Sequence, residues 1–335
     1  MSQDRSEVRI ALPSKGRLSE DSLSLLSNAG LPVYKPNPRQ YKAAIPNLKN
    51  LTVLFQRVGD IVTSVRDGSI DFGITGWDIF SEKEHNNGEL LVLLNELGFG
   101  YCTLNVIVPE IWTSVNSISD LVKWQETKQR PIRVATKFPY LTESFFKGSG
   151  VNELSMIPAE GTLEIAPTIG YADVIVDLIS SGTTLRDNRL KVLNDGLILE
   201  SQACLIANRN ALKTRPEVLR VAKKFLEFIV AHLRAAENVS IFANIRGESP
   251  DSIAKQMFSK TVIGGLQGPT ISQVINQESK NWYAVHLIIR KDQLHQAIQE
   301  IREVGGSGVV VTPVTYIFEE EPLAYKAMLA ALEVK

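Results

Sequence analysis

The sequence predicts an α/β protein: a body of two lobes joined by crossing strands, followed by a small mixed sheet domain. Three observations carry this reading. From residue 8 to about residue 237, short runs rich in Val and Ile alternate with segments of helical periodicity, the pattern of strands joined by helices. Two further apolar runs, 95–109 and 196–208, supply a crossing out of the first lobe and a return to it. After a long amphipathic helix the order becomes β-α-β-β-α-β. The boundaries drawn on this basis are 1–105 with 197–237 for the first lobe, 106–196 for the second, and 239–335 for the end domain.

Taken in order, Val8 to Pro13 reads as a strand running into the basic turn Ser14-Lys15-Gly16-Arg17, after which Ser19 is placed to cap a helix that Gly30 ends. Lys15 and Arg17 therefore sit at a strand's carboxyl end, where open α/β sheets bind ligands. Leu51 to Arg57 is a second strand, followed by a helix carrying Ile61, Val62 and Val65. Ser69 to Phe80 repeats the strand, glycine turn and helix start. Ser117 to Trp124 reads as a helix and Gln125 to Arg130 as a surface loop. Ile132 to Pro139 is a strand ending in a Thr-Lys turn suited to an anion. Thr214 and Glu217 have capping-box spacing at the head of a helix that runs to about Glu237. Beyond it, strands over 239–246, 282–290 and 309–318, a Gly-rich turn leading into a strand within 261–274, and helices over 249–258 and 291–304 give the order of a ferredoxin-like module.

The most informative stretch is Gly170 to Leu185. Val174, Ile175 and Val176 form a short buried strand, and Asp177 sits where it should stop. The turn Ser180-Ser181-Gly182-Thr183-Thr184 has no large side chain, so several backbone N–H groups can converge on one point, with a helix beginning near Thr184. That is a cradle for a phosphate. Asp173 and Asp177 lie nearby, suited to ribose hydroxyls or to a magnesium-bridged diphosphate. The preceding run Glu160 to Glu164 should sit beside the turn, with Glu164 on a helix.

Composition excludes other classes. With 335 residues, 44% hydrophobic and 22% charged, the chain has the balance of a soluble globular protein of two or three domains. A net charge of −1 gives no electrostatic case for nucleic acid or an anionic membrane, and no apolar run approaches the roughly 20 residues of a membrane span. Cys102 and Cys204 lie in apolar runs and read as reduced thiols. His85, His232, His286 and His295 have no metal-ligand spacing, and no protein-borne metal site is expected. The polar N-terminus carries no secretory signal, so a cytoplasmic protein is expected, or a plastid one had a transit peptide been removed.

Five runs together resemble the ATP phosphoribosyltransferase family in its long, self-regulated form: Pro-Ser-Lys-Gly-Arg-Leu (13–18), Asp-Phe-Gly-Ile-Thr-Gly (71–76), Ala-Thr-Lys-Phe-Pro (135–139), Gly-Thr-Leu-Glu-Ile-Ala-Pro (161–167) and the loop from Asp173 to Leu185. The stretches 268–272 and 282–285 resemble the family's histidine-binding domain. Trp77, Thr168 and Val62 depart from the family's usual pattern. The resemblance implies a periplasmic-binding-protein-like, two-lobed catalytic body that joins N1 of ATP to C1 of phosphoribosyl diphosphate with Mg²⁺. It further implies feedback by L-histidine through the end domain and assembly into dimers and hexamers. It assigns Asp173, Asp177, Lys15 and Arg17 to catalysis, and Ser180, Ser181, Gly182, Thr183 and Thr184 to phosphoribosyl diphosphate. Arg57, Asp71, Gly73, Thr75, Gly76, Lys137 and Glu164 fall to ATP, and Pro269 and Thr270 to the effector. The competing reading is a solute-binding protein that closes on an anionic ligand; such proteins usually carry a secretion signal and lack the phosphoribosyl loop.

Overall fold

The computed structural model describes residues 6–333 except 38–39, 85–87, 152, 160, 162 and 276–280. His85, Glu160 and Thr162 thus lie outside the described residues, as do the first five positions. The first sheet holds β1 (Val8–Pro13), β2 (Lys42–Ala44), β3 (Leu51–Gln56), β4 (Phe72–Gly76) and β5 (Leu90–Leu94). The second holds β6 (Cys102–Pro109), β7 (Ile132–Thr136), β8 (Leu154–Pro158), β9 (Val174–Ile179) and β10 (Leu190–Ser201). The chain then returns through β11 (Ala203–Asn208), which completes the first sheet in the order β2-β3-β1-β4-β11-β5, beside a second sheet ordered β10-β6-β9-β7-β8. β1 pairs parallel with β3 and β4, and β7 parallel with β8 and β9, so the strands carrying the Gly-containing turns share a direction within each sheet. β10 and β11 are separated by Gln202 alone, one of two crossings between the sheets; the other is the loop from Asn95 to Tyr101.

Both sheets are held by buried β-branched and Leu side chains. Helix Val58–Arg66 lays Ile61, Val62 and Val65 over Ala11, Cys204 and Ile206 of the first sheet. In the second, alternate residues of β9 face opposite layers: Val174 and Val176 join Leu104, Val134 and Phe146, while Ile175 joins Ala135, Leu163 and Leu185. Burying each such side chain contributes about 1.5–3 kcal/mol, so the strand that ends at the phosphate turn is firmly anchored.

Contacts divide the chain into two units. One comprises residues up to Ser27, Leu31–Lys223 and those from Ala324 on; the other comprises Asn28–Gly30 and Lys224–Leu323. The chain passes between them within helix Pro216–Ala236. The second unit holds β12 (Asn238–Arg246), β13 (Thr270–Gln273), β14 (Trp282–Arg290) and β15 (Gly306–Pro313) in the order β13-β14-β12-β15, all antiparallel. With helices Pro250–Phe258 and Leu294–Glu303 this is the ferredoxin-like βαββαβ arrangement. Ser249 caps the first helix through a reciprocal box with Ser252.

Several local expectations are corrected. Helix Arg17–Asn28 starts two residues before Ser19, because Gly16 at φ 76° makes the turn and Ser19 N–H already donates to the Gly16 carbonyl. The apolar stretch from Asn95 is not one strand: Gly98 and Gly100, both at positive φ, hold a loop there and β6 begins only at Cys102. Helix Ile118–Lys128 absorbs most of the expected loop after Trp124. Thr214 ends a separate helix, Arg209–Thr214, and donates to the Asn210 carbonyl, while Glu217 pairs with Arg215 instead of closing a capping box. The last strand stops at Pro313, and a terminal helix, Leu323–Glu333, follows that no periodicity reading supplied. It rejoins the first unit, where Arg209 donates to the Ala331 carbonyl and the Lys223 ammonium lies 5.1 Å from the Tyr325 ring centroid.

Candidate active site

The phosphate turn forms as the small side chains dictate. β9 ends at Ile179, Gly182 takes a left-handed conformation at φ 71° that a side chain would strain, and a short helix, Thr183–Asp187, begins at once. The leading N–H groups of a helix have no intrahelical acceptor, so those of Thr183 and Thr184 are available to an anion. Ser181 and Thr183 hydroxyls stand 3.3 Å apart across the turn. A cavity of about 70 Å³ opens here, lined by Glu164, Asp177, Ser180, Ser181, Gly182 and Thr184. Glu164 lies in a single 3₁₀ turn, Leu163–Ile165, rather than an α-helix, and does reach the loop.

With Glu164, Asp177 is one of two acids lining this cavity. Burial pushes its carboxyl above the usual range; the Leu178 N–H, donating at 2.8 Å, and the charge of Lys137 pull it back, while Glu164 pushes it up again. Lys137, exposed at the end of β7, is thereby placed beside the loop. On the first sheet, β1 and β3 pair in register from Val8 with Leu51 to Pro13 with Gln56, which brings the turn of Lys15 and Arg17 and the exposed Arg57 to one edge. Arg17 is paired with Asp21 at 3.5 Å.

Four expected residues are placed elsewhere. Asp173 precedes β9, so it lies a strand's length from the loop, and its carboxylate is saturated: Arg130 donates at 2.6 and 2.7 Å, and Arg133 at 2.9 Å through its amide and at 3.0 and 3.2 Å through its guanidinium. Burial alone would raise this carboxyl, but the two guanidiniums hold it well below the usual range. Asp71 is fully buried at the opposite end of β4 from the ligand edge, accepting from the Arg9 amide at 2.8 Å and the Arg215 guanidinium at 2.7 Å. Gly73 is a packing glycine, since a Cβ there would meet Ile61 at 2.4 Å, and Thr75 is fully buried on the same strand. Both side-chain positions are thus turned into packing in this structure. Asp71→Asn is accordingly expected to lower the melting temperature by roughly 5–10 °C while the KM for ATP stays put. A KM shift with unchanged melting would return Asp71 to the site. Gly76 closes β4 beside the next cavity.

That cavity, of about 550 Å³, opens where the strands cross and abuts the phosphate turn through Ile179 and Ser180. Trp77, Asn95, Tyr101, Glu200 and Gln202 are among its lining residues, and Cys102 and Ser201 contribute to its wall. Beneath it Ser201 donates to the buried Asp78 at 2.7 Å and accepts from the Asp78 amide at 2.9 Å, and burial raises the Asp78 carboxyl. Sequence reading passed over this set because its members come from four separated segments. Trp77, an aromatic directly after a strand-ending Thr-Gly, was the available signal.

Pro269 and Thr270 stand in the second unit at the start of edge strand β13, with Thr270 in register with His286. Cys102 and Cys204 are both free thiols. Among the described residues no cluster of three or more His, Cys, Asp or Glu is arranged to hold a metal, and no helix is long and apolar enough to cross a membrane.

A two-lobed α/β body with a phosphate turn opening on a nucleotide-sized cleft, followed by a separate α+β unit, defines a phosphoribosyl-transferring enzyme with an added domain. Residues 57–232 match the HisG family, ATP phosphoribosyltransferase, and residues 235–316 match the HisG C-terminal domain. The chain belongs to the ATP phosphoribosyltransferase family, the transferases of the first committed step of histidine biosynthesis; its C-terminal domain is the regulatory one of the long form. It is 43% identical over 335 residues to ATP phosphoribosyltransferase 2, chloroplastic, of Arabidopsis thaliana, covering 98% of this chain and 81% of that protein. It is 36% identical over 309 residues to the ATP phosphoribosyltransferase of Gemmatimonas aurantiaca, covering 91% and 97%. The solved HisG:HisZ complex of ATP phosphoribosyl transferase from Thermotoga maritima superposes with a TM-score of 0.53 at 25% identity, over 67% of this chain and 98% of that one.

Proposed function

We propose that the turn Ser180–Thr184 holds the 5-phosphate of phosphoribosyl diphosphate while N1 of ATP attacks C1 of its ribose and pyrophosphate leaves. The observation that carries this is the left-handed Gly182 leading into unpaired helix N–H groups, with Asp177 and Glu164 facing the same cavity. As the bond from C1 to the diphosphate oxygen loosens, the ribose takes on positive character. What the protein supplies is position and charge. Asp177 accepts from the ribose hydroxyls, and Glu164 lies beside it. Lys137 offsets the negative charge of this acidic corner, and Lys15, Arg17 and Arg57 steady the phosphates from the first sheet's edge.

Asp177 and Glu164, two carboxylates beside the turn, would fit a Mg²⁺ carried in on the diphosphate. Bound there, the metal would neutralise charge developing on the leaving pyrophosphate. L-histidine is the inhibitor that the second unit senses, in a homo-oligomer of dimers or hexamers. Pro269 and Thr270 would contact that effector. The setting is the cytoplasm, or the plastid for a chain imported there. Neither a membrane nor a nucleic acid is a partner.

The deciding assay supplies ATP, phosphoribosyl diphosphate and Mg²⁺, with pyrophosphatase to pull the reaction, and follows adduct absorbance with and without L-histidine. Turnover that histidine suppresses and a chelator abolishes is expected. Turnover insensitive to histidine would remove the sensing role from the second unit. Absent turnover in folded protein would return the chain to the binding-protein reading. A truncation at residue 239 is the wrong tool, because helix Leu323–Glu333 belongs to the catalytic unit.

A further inference from the structure

We propose that Glu82 and Lys83, adjacent at the end of helix Trp77–Lys83, are positioning residues. Together they clamp the second lobe's Lys137 turn to the first lobe's Arg57 turn, and so fix the cations that face the departing diphosphate. This deepens the reading above and rests on Arg57 and Lys137 serving one site.

Helix Pro139–Gly148 begins directly after Lys137 and Phe138, and its N-cap residue, Phe138, gives it no side-chain acceptor. Pro139 has no N–H, and the Thr142 amide already donates to the Phe138 carbonyl at 3.0 Å. The first turn is left with two donors, the amides of Tyr140 and Leu141. One carboxylate from the other lobe takes both: Tyr140 donates to Oε1 of Glu82 at 2.9 Å and Leu141 to Oε2 at 3.0 Å. Bonds to an ionised acceptor at the positive end of a helix are stronger than neutral ones. The anion expected at the Thr-Lys turn is thus supplied, at the helix it leads into, by the protein's own Glu82.

The next residue reaches the opposite way. The Lys83 ammonium donates to the carbonyl of Gly59, two residues after Arg57, and the Lys83 carbonyl accepts from the Arg66 guanidinium at 3.4 Å. Both ends of helix Val58–Arg66 are therefore held by one residue. Neither Glu82 nor Lys83 lines the cleft or the phosphate cavity, so any effect on turnover passes through the groups they hold.

The need for a clamp follows from how the lobes are joined. Two sheets linked by the 95–101 loop and Gln202 would pivot about that line, as a hinge does. The Trp77 amide bonds to Gln202 and Asp78 to Ser201 at the crossing itself, and Ile79 packs against the cores of both lobes. Glu82 lies five residues beyond Trp77, roughly 7–8 Å along the helix, and adds an attachment away from the pivot. Such an attachment opposes rotation, whereas one on the pivot does not. Arg57 and Lys137 belong to different lobes, so their separation depends on that angle. Misplacing such groups by about 1 Å can cost a hundred-fold in rate.

Steady-state kinetics and thermal melts on the full-length chain test this, with ATP and phosphoribosyl diphosphate as substrates. Glu82→Ala and Lys83→Met are each expected to lower kcat by about ten-fold while either KM moves by less than about two-fold, since each lobe still binds its own part of the substrates. Glu82→Gln keeps one oxygen acceptor and the shape of the side chain, and is expected to lose only about three-fold. The double variant should turn over no more slowly than either single one, because a clamp open at one end already holds nothing. Losses that multiply in the double variant would overturn the clamp. So would a Glu82→Ala or Glu82→Gln protein that melts lower yet turns over like the parent, which would leave Glu82 a helix cap alone. Where Glu82→Ala does not fold, Glu82→Gln decides by itself. Absent turnover by the parent chain would overturn the clamp together with the reading beneath it.

Discussion

Asp177→Asn is expected to lower kcat/KM for phosphoribosyl diphosphate by about a hundred-fold, the scale of losing one aimed hydrogen-bonding group in an active site. The folded state should not suffer. Burial raises the Asp177 carboxyl, which means that the folded chain disfavours its ionised form. A group raised in this way weakens the fold as pH climbs above its ordinary value of 3.8, and a neutral amide removes that cost. The variant should therefore melt at or slightly above the temperature of the parent at neutral pH. Unchanged turnover together with unchanged substrate affinity would contradict the assignment.

Asp173→Ala, four residues earlier on the same chain segment, is expected to do the reverse. Its carboxylate is 6% exposed and receives five hydrogen bonds from Arg130 and Arg133, so its removal leaves two guanidiniums without their shared acceptor. Both guanidiniums are more than a third exposed, so water can take them back and the loss is about 2 kcal/mol. For a unit of this size that is a fall in melting temperature of roughly 4–8 °C. Because the folded carboxyl lies below its ordinary 3.8, the stabilisation is whole above that pH and disappears as pH falls toward the folded value. Thermal melts of parent and variant across this acid range should converge. A variant that melts like the parent but has lost activity would place Asp173 in the catalytic machinery after all.

The contrast between these two acids shows where reading the sequence stopped. Both lie within a few residues of the turn in sequence, which made both look suited to ribose hydroxyls. At about 3.3 Å per residue they are nonetheless roughly 13 Å apart along the chain, and only one end of β9 meets the phosphate turn. Asp71 failed as a site residue for the same reason: a motif records neighbours in sequence but not which end of the strand is open. The arginines that neutralise Asp173 and Asp71 come from residues 130, 133 and 215, and Arg215 is 144 positions from its partner.

The sequence by itself determined the lobed α/β body, the crossing strands, the βαββαβ end unit and the phosphate turn. Each rests on local physics: β-branched runs that must be buried, helical periodicity, and a glycine free to take positive φ between small residues. Only the tertiary structure decided what lies around that turn. Trp77, Asn95, Tyr101, Glu200 and Gln202 share one cleft because β10 pairs with β6 and β11 returns beside β4 and β5. Helix Leu323–Glu333 likewise belongs to the first unit through contacts with residues about a hundred positions away. Such groupings come from packing between distant strands and helices, which no local pattern encodes.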